Sequence, residues 1–459
     1  MSATTSFRRV FIANRGEIAV RVVRACDKLG IESVVGVSDA DRDSLAAQLA
    51  TQAVCIGPAH SSESYLRPEI LVAAAKGTGC QAVHPGYGFL AERAAFARVC
   101  AENGLVFIGP SPEAIESMGD KITAVRLAGQ AGVPRVPGSE RLSGADEARA
   151  TAHNIGYPVL IKASAGGGGR GMRIVRSERE IESAMNAAAT EAMAAFGDAT
   201  LYMEKFFERA RHIEIQVLGD AHGNVVHLGE RECSTQRRHQ KLIEESPSPV
   251  IDAALRAELG AAAVTLARRV NYQGAGTVEF VFDESSRRYY FLEMNTRIQV
   301  EHPVTEMVTK RDLVVEQIRI AAGEPISFRQ DQVHFEGHAI ECRINAENAE
   351  RNFAPSPGRL LTWTPPVGDG VRVDSHCYPG YMVPPYYDSL LAKVIMHAVD
   401  RPAAIARMQE ALDRFVVDGV HTTIPFHKRV LAHDDFRCGR VTTRWVEETF
   451  LRTAYAEGV

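Results

Sequence analysis

Polar and apolar residues alternate most regularly over residues 277–303, TVEFVFDESSRRYYFLEMNTRIQVEHP. Glu293, Asn295, Arg297, Gln299 and Glu301 occupy every second position, and Met294, Ile298 and Val300 fall between them. An extended chain has a side-chain period of two, so the five polar groups are predicted to share one face while the apolar ones turn toward a core. Upstream, residues 277–282 and 289–294 read as two strands joined by a turn over 283–288. A hairpin centred on Ser286 would set Glu279 directly opposite Glu293, with Cβ atoms roughly 5 Å apart. Facing carboxylates repel each other unless a cation lies between them, and all-oxygen ligands suit a hard divalent ion such as Mg²⁺. A solvated sheet face laced with ion pairs also alternates charge, but it does not call for the amides and the arginine found here.

Elsewhere the pattern changes period. Residues 8–110 alternate short apolar runs (10–13, 33–37, 82–84 and 106–108) with helical stretches, as in a parallel α/β sheet. Asn14-Arg15-Gly16 lies at the first strand-to-helix switch, where open α/β sheets place ligands. Residues 111–135 read as a helical linker carrying Lys121, 136–203 as a small α/β unit, and 204–459 as a larger α+β domain that holds the carboxylate strand. Within the small unit, VLIKASAGGGGRGMRIV (159–175) is two β-rich runs around a loop with Gly166, Gly167, Gly168, Gly169 and Gly171. Such a loop lets backbone N–H groups approach phosphate oxygens with no Cβ in the way, and Lys162 adds a point charge at the strand end. The spacing is neither that of a P-loop nor that of a dinucleotide-binding turn. Alone, a glycine-rich hairpin is equally a surface loop; with Lys121 and the facing carboxylates it reads as a lid over a Mg–nucleotide.

Composition narrows the field. A chain of 459 residues suggests about three domains, each able to bury a core. A net charge of −5 and a pI near 6.3 leave no electrostatic footprint for nucleic acid. Arg231, Arg237, Arg238 and Lys241 form a local basic cluster suited to a small anion. The eight cysteines are scattered without CxxC spacing, which argues against a zinc site or a disulfide framework and for reduced thiols in the cytoplasm. No apolar signal region or run of membrane-spanning length occurs, so a soluble intracellular protein is expected, with no membrane partner.

Lys121, Lys162, the glycine-rich loop, Glu204-Lys205, Glu279 and Glu293-Met-Asn295 resemble an ATP-grasp enzyme. Further motifs narrow the resemblance to the biotin carboxylases: Ala13-Asn-Arg-Gly-Glu-Ile-Ala19, His84-Pro-Gly-Tyr-Gly-Phe-Leu90, Arg211-His-Ile-Glu-Ile-Gln216 and Arg231-Glu-Cys-Ser-Thr-Gln-Arg-Arg-His-Gln-Lys241. Asn295-Thr-Arg-Ile-Gln-Val-Glu-His-Pro303, Glu341-Cys-Arg-Ile-Asn345, Pro355-Ser-Pro-Gly358 and Pro384-Pro-Tyr-Tyr-Asp-Ser389 follow in family order, so the resemblance spans about residues 11–451. It implies an ATP-grasp fold combining α/β and α+β parts: a Rossmann-like parallel-sheet domain, a small glycine-rich lid domain and a large antiparallel-sheet domain. It also implies a reaction. ATP and bicarbonate give carboxyphosphate, this breaks down to CO₂ and phosphate, and the phosphate takes the N1′ proton of biotin before the resulting anion attacks CO₂.

The resemblance assigns residues to each task. For ATP it implies Lys121 and Lys162 on the phosphates, Gly166–Gly169 as lid, Glu204 and Lys205 at the adenine hinge, and Gln236 and His239 near ribose or phosphate. His212 is either a ligand there or a satisfied structural histidine. Glu279 and Glu293, assisted by Asn295, would hold Mg²⁺ or Mn²⁺. Lys241, Arg297, Gln299, the backbone at Val300 and Glu301 match the bicarbonate contacts, with Glu301 as general base kept ionised by nearby Arg297 or the metal. Arg343 matches the group that stabilises the biotin anion, its neighbours Ile340, Cys342 and Ile344 turning to the core, and Tyr87 and Gly88 match the loop against biotin. Cys233 reads as a buried, inert thiol.

Two positions depart from the family pattern: Arg93 replaces an Asn that often follows the Phe89-Leu-Ala-Glu92 run, and Ala210 a common Pro. The chain has no Lys-Met pair, hence no biotin-attachment motif, and no carboxyltransferase follows Leu451. The expectation is one component of a split system, a homodimer by resemblance, that receives biotin from a separate biotin carboxyl carrier protein and works with carboxyltransferase subunits. Two other readings share part of this pattern: another ATP-grasp ligase joining an acyl phosphate to an amine, and a non-catalytic nucleotide-binding subunit.

Overall fold

A computed structural model describes residues 7–139, 141–163 and 171–452. The apolar run Arg9–Ile12 forms β1, buried along most of its length as central parallel strands are. With β2 (Glu32–Ser38), β3 (Gln52–Gly57), β4 (Ala82–His84) and β5 (Val106–Phe107) it builds a parallel sheet of order β3-β2-β1-β4-β5. β3 escapes the hydrophobic pattern because it is a sheet edge, and most of the residues in Gln52-Ala-Val-Cys-Ile-Gly57 are exposed or half-buried. The helix Gly16–Leu29 follows β1 and ends where Gly30 takes φ +68°, a left-handed cap. Strand order reverses between β1 and β4, so Asn14–Gly16 and His84–Gly88 flank the switch point where such sheets bind ligands.

Residues 111–135 hold two helices, Pro112–Gly119 and Lys121–Gln130, and Lys121 opens the second. The small unit is a three-stranded antiparallel sheet of order β7-β6-β8: β6 (Val159–Ala163), β7 (Arg173–Val175) and β8 (Leu201–Lys205). Period two sorts its residues. Val159, Ile161, Ala163, Leu201 and Met203 are buried against the helices of this unit, and Leu160, Lys162, Tyr202 and Glu204 line a cleft on the other face. β8 carries the unit to Lys205, past the expected boundary at 203. The lid glycines Gly166–Gly169 lie outside the described residues.

The large domain is an eight-stranded antiparallel sheet. Its strands are β9 (Ala210–Gly219), β10 (Val225–Arg237), β11 (Gln240–Ser246), β12 (Gly274–Asp283), β13 (Arg288–Asn295), β14 (His338–Asn345), Leu390–Ala398 and Val371–Ser375. Their order is β13-β12-β9-β10-β11-β14, then Leu390–Ala398 and Val371–Ser375. Glu279 pairs with Glu293, as expected, but by another route. The turn closes one residue tighter, pairing Asp283 with Arg288, and a bulge between Glu279 and Phe280 restores the carboxylate pair. The bulge leaves Leu292 exposed and facing the cleft.

The predicted strand through Glu301 stops at Asn295. Residues 296–301 form an irregular bend that leads into the helix His302–Thr309, with Glu301 at its N-cap and Pro303 in its first turn. Ile298, fully buried, anchors the bend.

Buried ion pairs tie neighbouring strands of this sheet to each other and to the helix Arg401–Arg414. Glu245 in β11 accepts from His338 Nε2 at 2.8 Å and from Arg401 Nε at 2.6 Å. Burial pushes its carboxyl up, but Arg401 and then His338 outweigh that and hold it down at about 2. The linked stability is present above the ordinary carboxylate pKa and drains away as pH falls toward that value. Glu245→Gln is expected to cost roughly 3 kcal/mol at neutral pH and to flatten the fall of melting temperature between about pH 5 and pH 3. Thermal melts across that range check it.

Candidate functional site: an acid-rich cleft between three domains

One cleft of about 1410 Å³ opens between the three units. The switch point of the parallel sheet contributes Asn14–Glu17 and Tyr87–Phe89, the lid sheet contributes Leu160, Lys162 and Glu204, and the large sheet contributes the rest. Of the predicted site residues described here, Lys121, Lys162, Glu204, Lys205, His212, Gln236, His239, Lys241, Glu279, Glu293, Asn295, Arg297, Gln299, Val300, Glu301, Arg343, Tyr87 and Gly88 all line it.

Lys241 is its electrostatic centre. Nζ donates to Glu214 Oε2 at 2.5 Å, Glu301 Oε1 at 2.6 Å and Glu279 Oε1 at 3.0 Å. Desolvation opposes that charge, but the three carboxylates, Glu214 foremost, raise its pKa well above the lysine range. Glu301 takes a second cation, since Arg343 donates from Nη2 to Glu301 Oε2 at 3.1 Å and from Nε to Glu244 Oε1 at 2.6 Å. Burial would raise the Glu301 carboxyl; Lys241, then Arg343 and Arg231, hold it far below the usual range. The expected partner of Glu301 is therefore corrected. Arg297 instead donates from Nε to Glu92 Oε2 at 2.9 Å, because the bend at 296–301 turns it toward the parallel-sheet domain.

Glu279 Oε1 accepts from Asn295 Nδ2 at 2.9 Å and Gln299 Nε2 at 2.8 Å as well as from Lys241, and Glu279 Oε2 lies 2.9 Å from His212 Nε2. Burial lowers the His212 pKa, but Glu279 outweighs it and the net shift is upward. Glu293 is different. Burial and then Glu279 push its carboxyl up by more than Lys121 and His212 draw it down. That unrelieved repulsion across the strand pair is what a divalent cation would relieve, so Glu279 and Glu293 fit Mg²⁺. Among the described residues, His212, Glu214 and Glu279 bring ligand atoms within 4.8 Å of one another, as do Glu214, Cys233 and Glu301, and neither group includes Glu293. Asn295 holds Glu279 in place here.

Other expectations divide. In the lid, Lys162 Nζ meets Glu204 Oε2 at 2.6 Å, whereas Lys205 donates to the carbonyls of Gly156 at 2.9 Å and Tyr157 at 3.0 Å, a strut that fixes the strand rather than a free hinge cation. The basic cluster separates too. Arg231 is fully buried and donates to Glu214, to Gln216 at 2.7 Å, to Gln299 at 2.9 Å and to Thr277 at 3.0 Å, and Arg237 stacks on Phe353. Of that cluster Arg238 stands exposed, and Lys241 can serve an anion only by releasing one of its three carboxylates. Cys233 is buried and its thiol is pushed well up by desolvation, as an inert thiol should be.

Sequence reasoning missed the residues that hold these groups in place. Glu214 faces Glu279 across β9 and β12, and the alternation His212-Ile-Glu-Ile-Gln216 carried the signal. Lys393, fully buried, donates to the Val300 carbonyl at 2.8 Å and lies 3.0 Å from Glu17, which in turn accepts from the Tyr87 hydroxyl. Asn14 Nδ2 donates to the carbonyls of Pro85 at 2.6 Å and Tyr87 at 2.7 Å, shaping the loop in which Gly88 has φ +68°.

Three family models match in succession: "Biotin carboxylase, N-terminal domain" over residues 6–115, "Carbamoyl-phosphate synthase L chain, ATP binding domain" over 120–329 and "Biotin carboxylase C-terminal domain" over 341–448. Biotin carboxylase 1 of Bacillus subtilis is 56% identical over 441 residues, 96% of this chain and 98% of that protein. The chain belongs to the biotin carboxylase family. Biotin carboxylases are ATP-dependent ligases, and this chain is one of them. A pyruvate carboxylase subunit of Methanothermobacter thermautotrophicus is 52% identical, covering 96% of this chain and 90% of that one. The biotin carboxylase domain dimer of Hydrogenobacter thermophilus 2-oxoglutarate carboxylase, solved with MgADP, ADP and bicarbonate, superposes with a TM-score of 0.89 at 49% identity, covering 96% of this chain and 97% of that one. No described helix is long and apolar enough to cross a membrane.

Proposed function

We propose that this biotin carboxylase carboxylates biotin carried on a separate protein, with Glu301 as the base that opens the reaction. The observation that carries the reading is the position of Glu301 between Lys241 and Arg343, one carboxyl oxygen on each cation. ATP enters the cleft with Lys121 and Lys162 at its phosphates and Glu204 at the adenine end. Glu279 and Glu293 would hold Mg²⁺, which when bound would supply positive charge at the phosphates. Arg297, Lys241, Gln299 and the backbone at Val300 seat bicarbonate beside Glu301. Glu301 takes its proton, and a carbonate oxygen attacks the γ-phosphorus to give carboxyphosphate and ADP. Carboxyphosphate splits into CO₂ and phosphate, the phosphate accepts the N1′ proton of biotin lying against Tyr87 and Gly88, and Arg343 stabilises the ureido anion that adds to CO₂.

The counter-ions explain how a carboxyl held so low can act as a base. When Lys241 turns to bicarbonate and Arg343 to the ureido oxygen, Glu301 loses positive charge but stays buried, and burial then raises its proton affinity. Base strength rises as the substrates arrive. The chain works as a homodimer in the cytoplasm with a biotin carboxyl carrier protein and carboxyltransferase subunits, as the dimeric relative and the pyruvate carboxylase relative suggest.

Phosphate release from Mg–ATP, measured with and without bicarbonate and free biotin, tests the reading. Release is expected only with both additions. Release that ignores bicarbonate would overturn it in favour of another ligase, and release that needs bicarbonate but ignores biotin, free or on a carrier, would overturn the choice of acceptor.

A further inference from the structure

A guanidinium carries five N–H donors in one plane, and Arg297 commits three of them. Nε donates to Glu92 Oε2 at 2.9 Å, Nη2 to Asn295 Oδ1 at 3.0 Å and Nη1 to the Ile298 carbonyl at 3.3 Å. Among the described residues, one N–H is left on each of Nη1 and Nη2, two donors to offer a planar anion. Asn295 and Ile298 are near neighbours in the chain; Glu92 is 205 residues away, in the parallel-sheet domain, four residues beyond Gly88. Its second oxygen accepts from the Thr296 backbone N–H at 3.1 Å, so one carboxylate grips both the bend and the side chain it presents.

Something must hold Arg297 against competition. Glu301 and Glu279 both attract its charge, and a guanidinium free to swing would spend its fork on the acids it is meant to sit beside. We propose that Glu92 is a positioning residue for the bicarbonate site: it holds the guanidinium of Arg297 away from Glu301 and Glu279 with two N–H groups left for the anion. This rests on the reading of Arg297 as the bicarbonate clamp. It also makes the segment after the Tyr87–Gly88 loop part of the bicarbonate site, so the two substrate sites share a strut.

The test is a double-mutant cycle. Glu92→Ala is expected to raise the KM for bicarbonate at least about tenfold with the KM for Mg–ATP unchanged. Glu92→Gln keeps an acceptor in the same place and should recover part of the loss. In an Arg297→Lys background, which lacks the fork, Glu92→Ala should add nothing further. Where turnover is too slow to measure, the rise in melting temperature with added bicarbonate gives the same comparison. The Glu92 side chain is 40% exposed, so the variants should fold, and melts without bicarbonate verify it. An equal loss in both backgrounds, or an unchanged bicarbonate KM in Glu92→Ala, would overturn the proposal. A normal bicarbonate response in Arg297→Lys would instead overturn the clamp reading beneath it.

Discussion

Glu301→Gln is expected to lower bicarbonate-dependent phosphate release by roughly 10²- to 10⁴-fold while leaving nucleotide binding and folding intact. The fold survives because neither cation is stranded. Lys241 keeps Glu214 and Glu279, and Arg343 keeps Glu244, while Gln still offers an acceptor where Glu301 stood. What disappears is the site that takes the proton from bicarbonate, and the bound anion is then a poor nucleophile. The pH profile separates this from a loss of packing. In the free enzyme Glu301 is held far below the usual carboxylate range, so its basic form is present throughout the neutral region. Expressed per bicarbonate ion, so that conversion of the substrate to CO₂ in acid is removed, the acid limb of kcat/KM should therefore lie below the ordinary carboxylate range, whereas the limb in kcat should lie higher once the substrates have drawn Lys241 and Arg343 away. Nucleotide titrations of the variant should match the parent, and its melts should stay cooperative but fall at neutral pH, because the stability linked to ionised Glu301 is lost. A variant that retains bicarbonate-dependent turnover would remove Glu301 as the base.

The contrast between Glu301 and Arg297 also marks how far the sequence could be read. Period-two spacing correctly gathered Glu293, Asn295, Arg297, Gln299 and Glu301 into one place, although the strand ends at Asn295. Spacing reports which side chains can share a side and not whether the backbone stays extended. Here the buried Ile298 and the grip of Glu92 on Thr296 keep the bend facing the cleft. The Glu279–Glu293 pair was legible because a bulge offset a turn one residue tighter than expected. Partners distant in sequence were not legible. Glu92 meets Arg297, Lys393 meets Val300 and Glu17, and Glu214 meets Lys241 only because sheet order and domain packing bring them together. Arg231 shows the limit most plainly. In the sequence it belongs to a basic cluster, and only β9 and β12 closing over it turn it into a buried strut with no donor to spare for an anion.

Lys241→Met should be strongly destabilising, and its effect should depend on pH in a particular direction. The substitution keeps much of the volume and removes the one cation shared by Glu214, Glu279 and Glu301. Arg231, His212 and Arg343 remain, one for each carboxylate, but breaking a buried pair by removing one partner typically costs about 3–5 kcal/mol because charge is left uncompensated. In the parent, Glu279 and Glu301 have depressed pKa values, so the stability they contribute is full above the ordinary carboxylate pKa and is lost as pH falls. In the variant, burial and mutual repulsion push the same carboxyls upward, and such groups favour the folded state as they gain protons. The stability gap between the two proteins should thus be widest at neutral pH and narrow steadily on acidification. Denaturant unfolding of both proteins from about pH 8 down to about pH 5 would show the gap closing. A gap that stays constant with pH would mean that Lys241 matters through packing and not through charge, and Glu301 would then need another source for its depressed pKa.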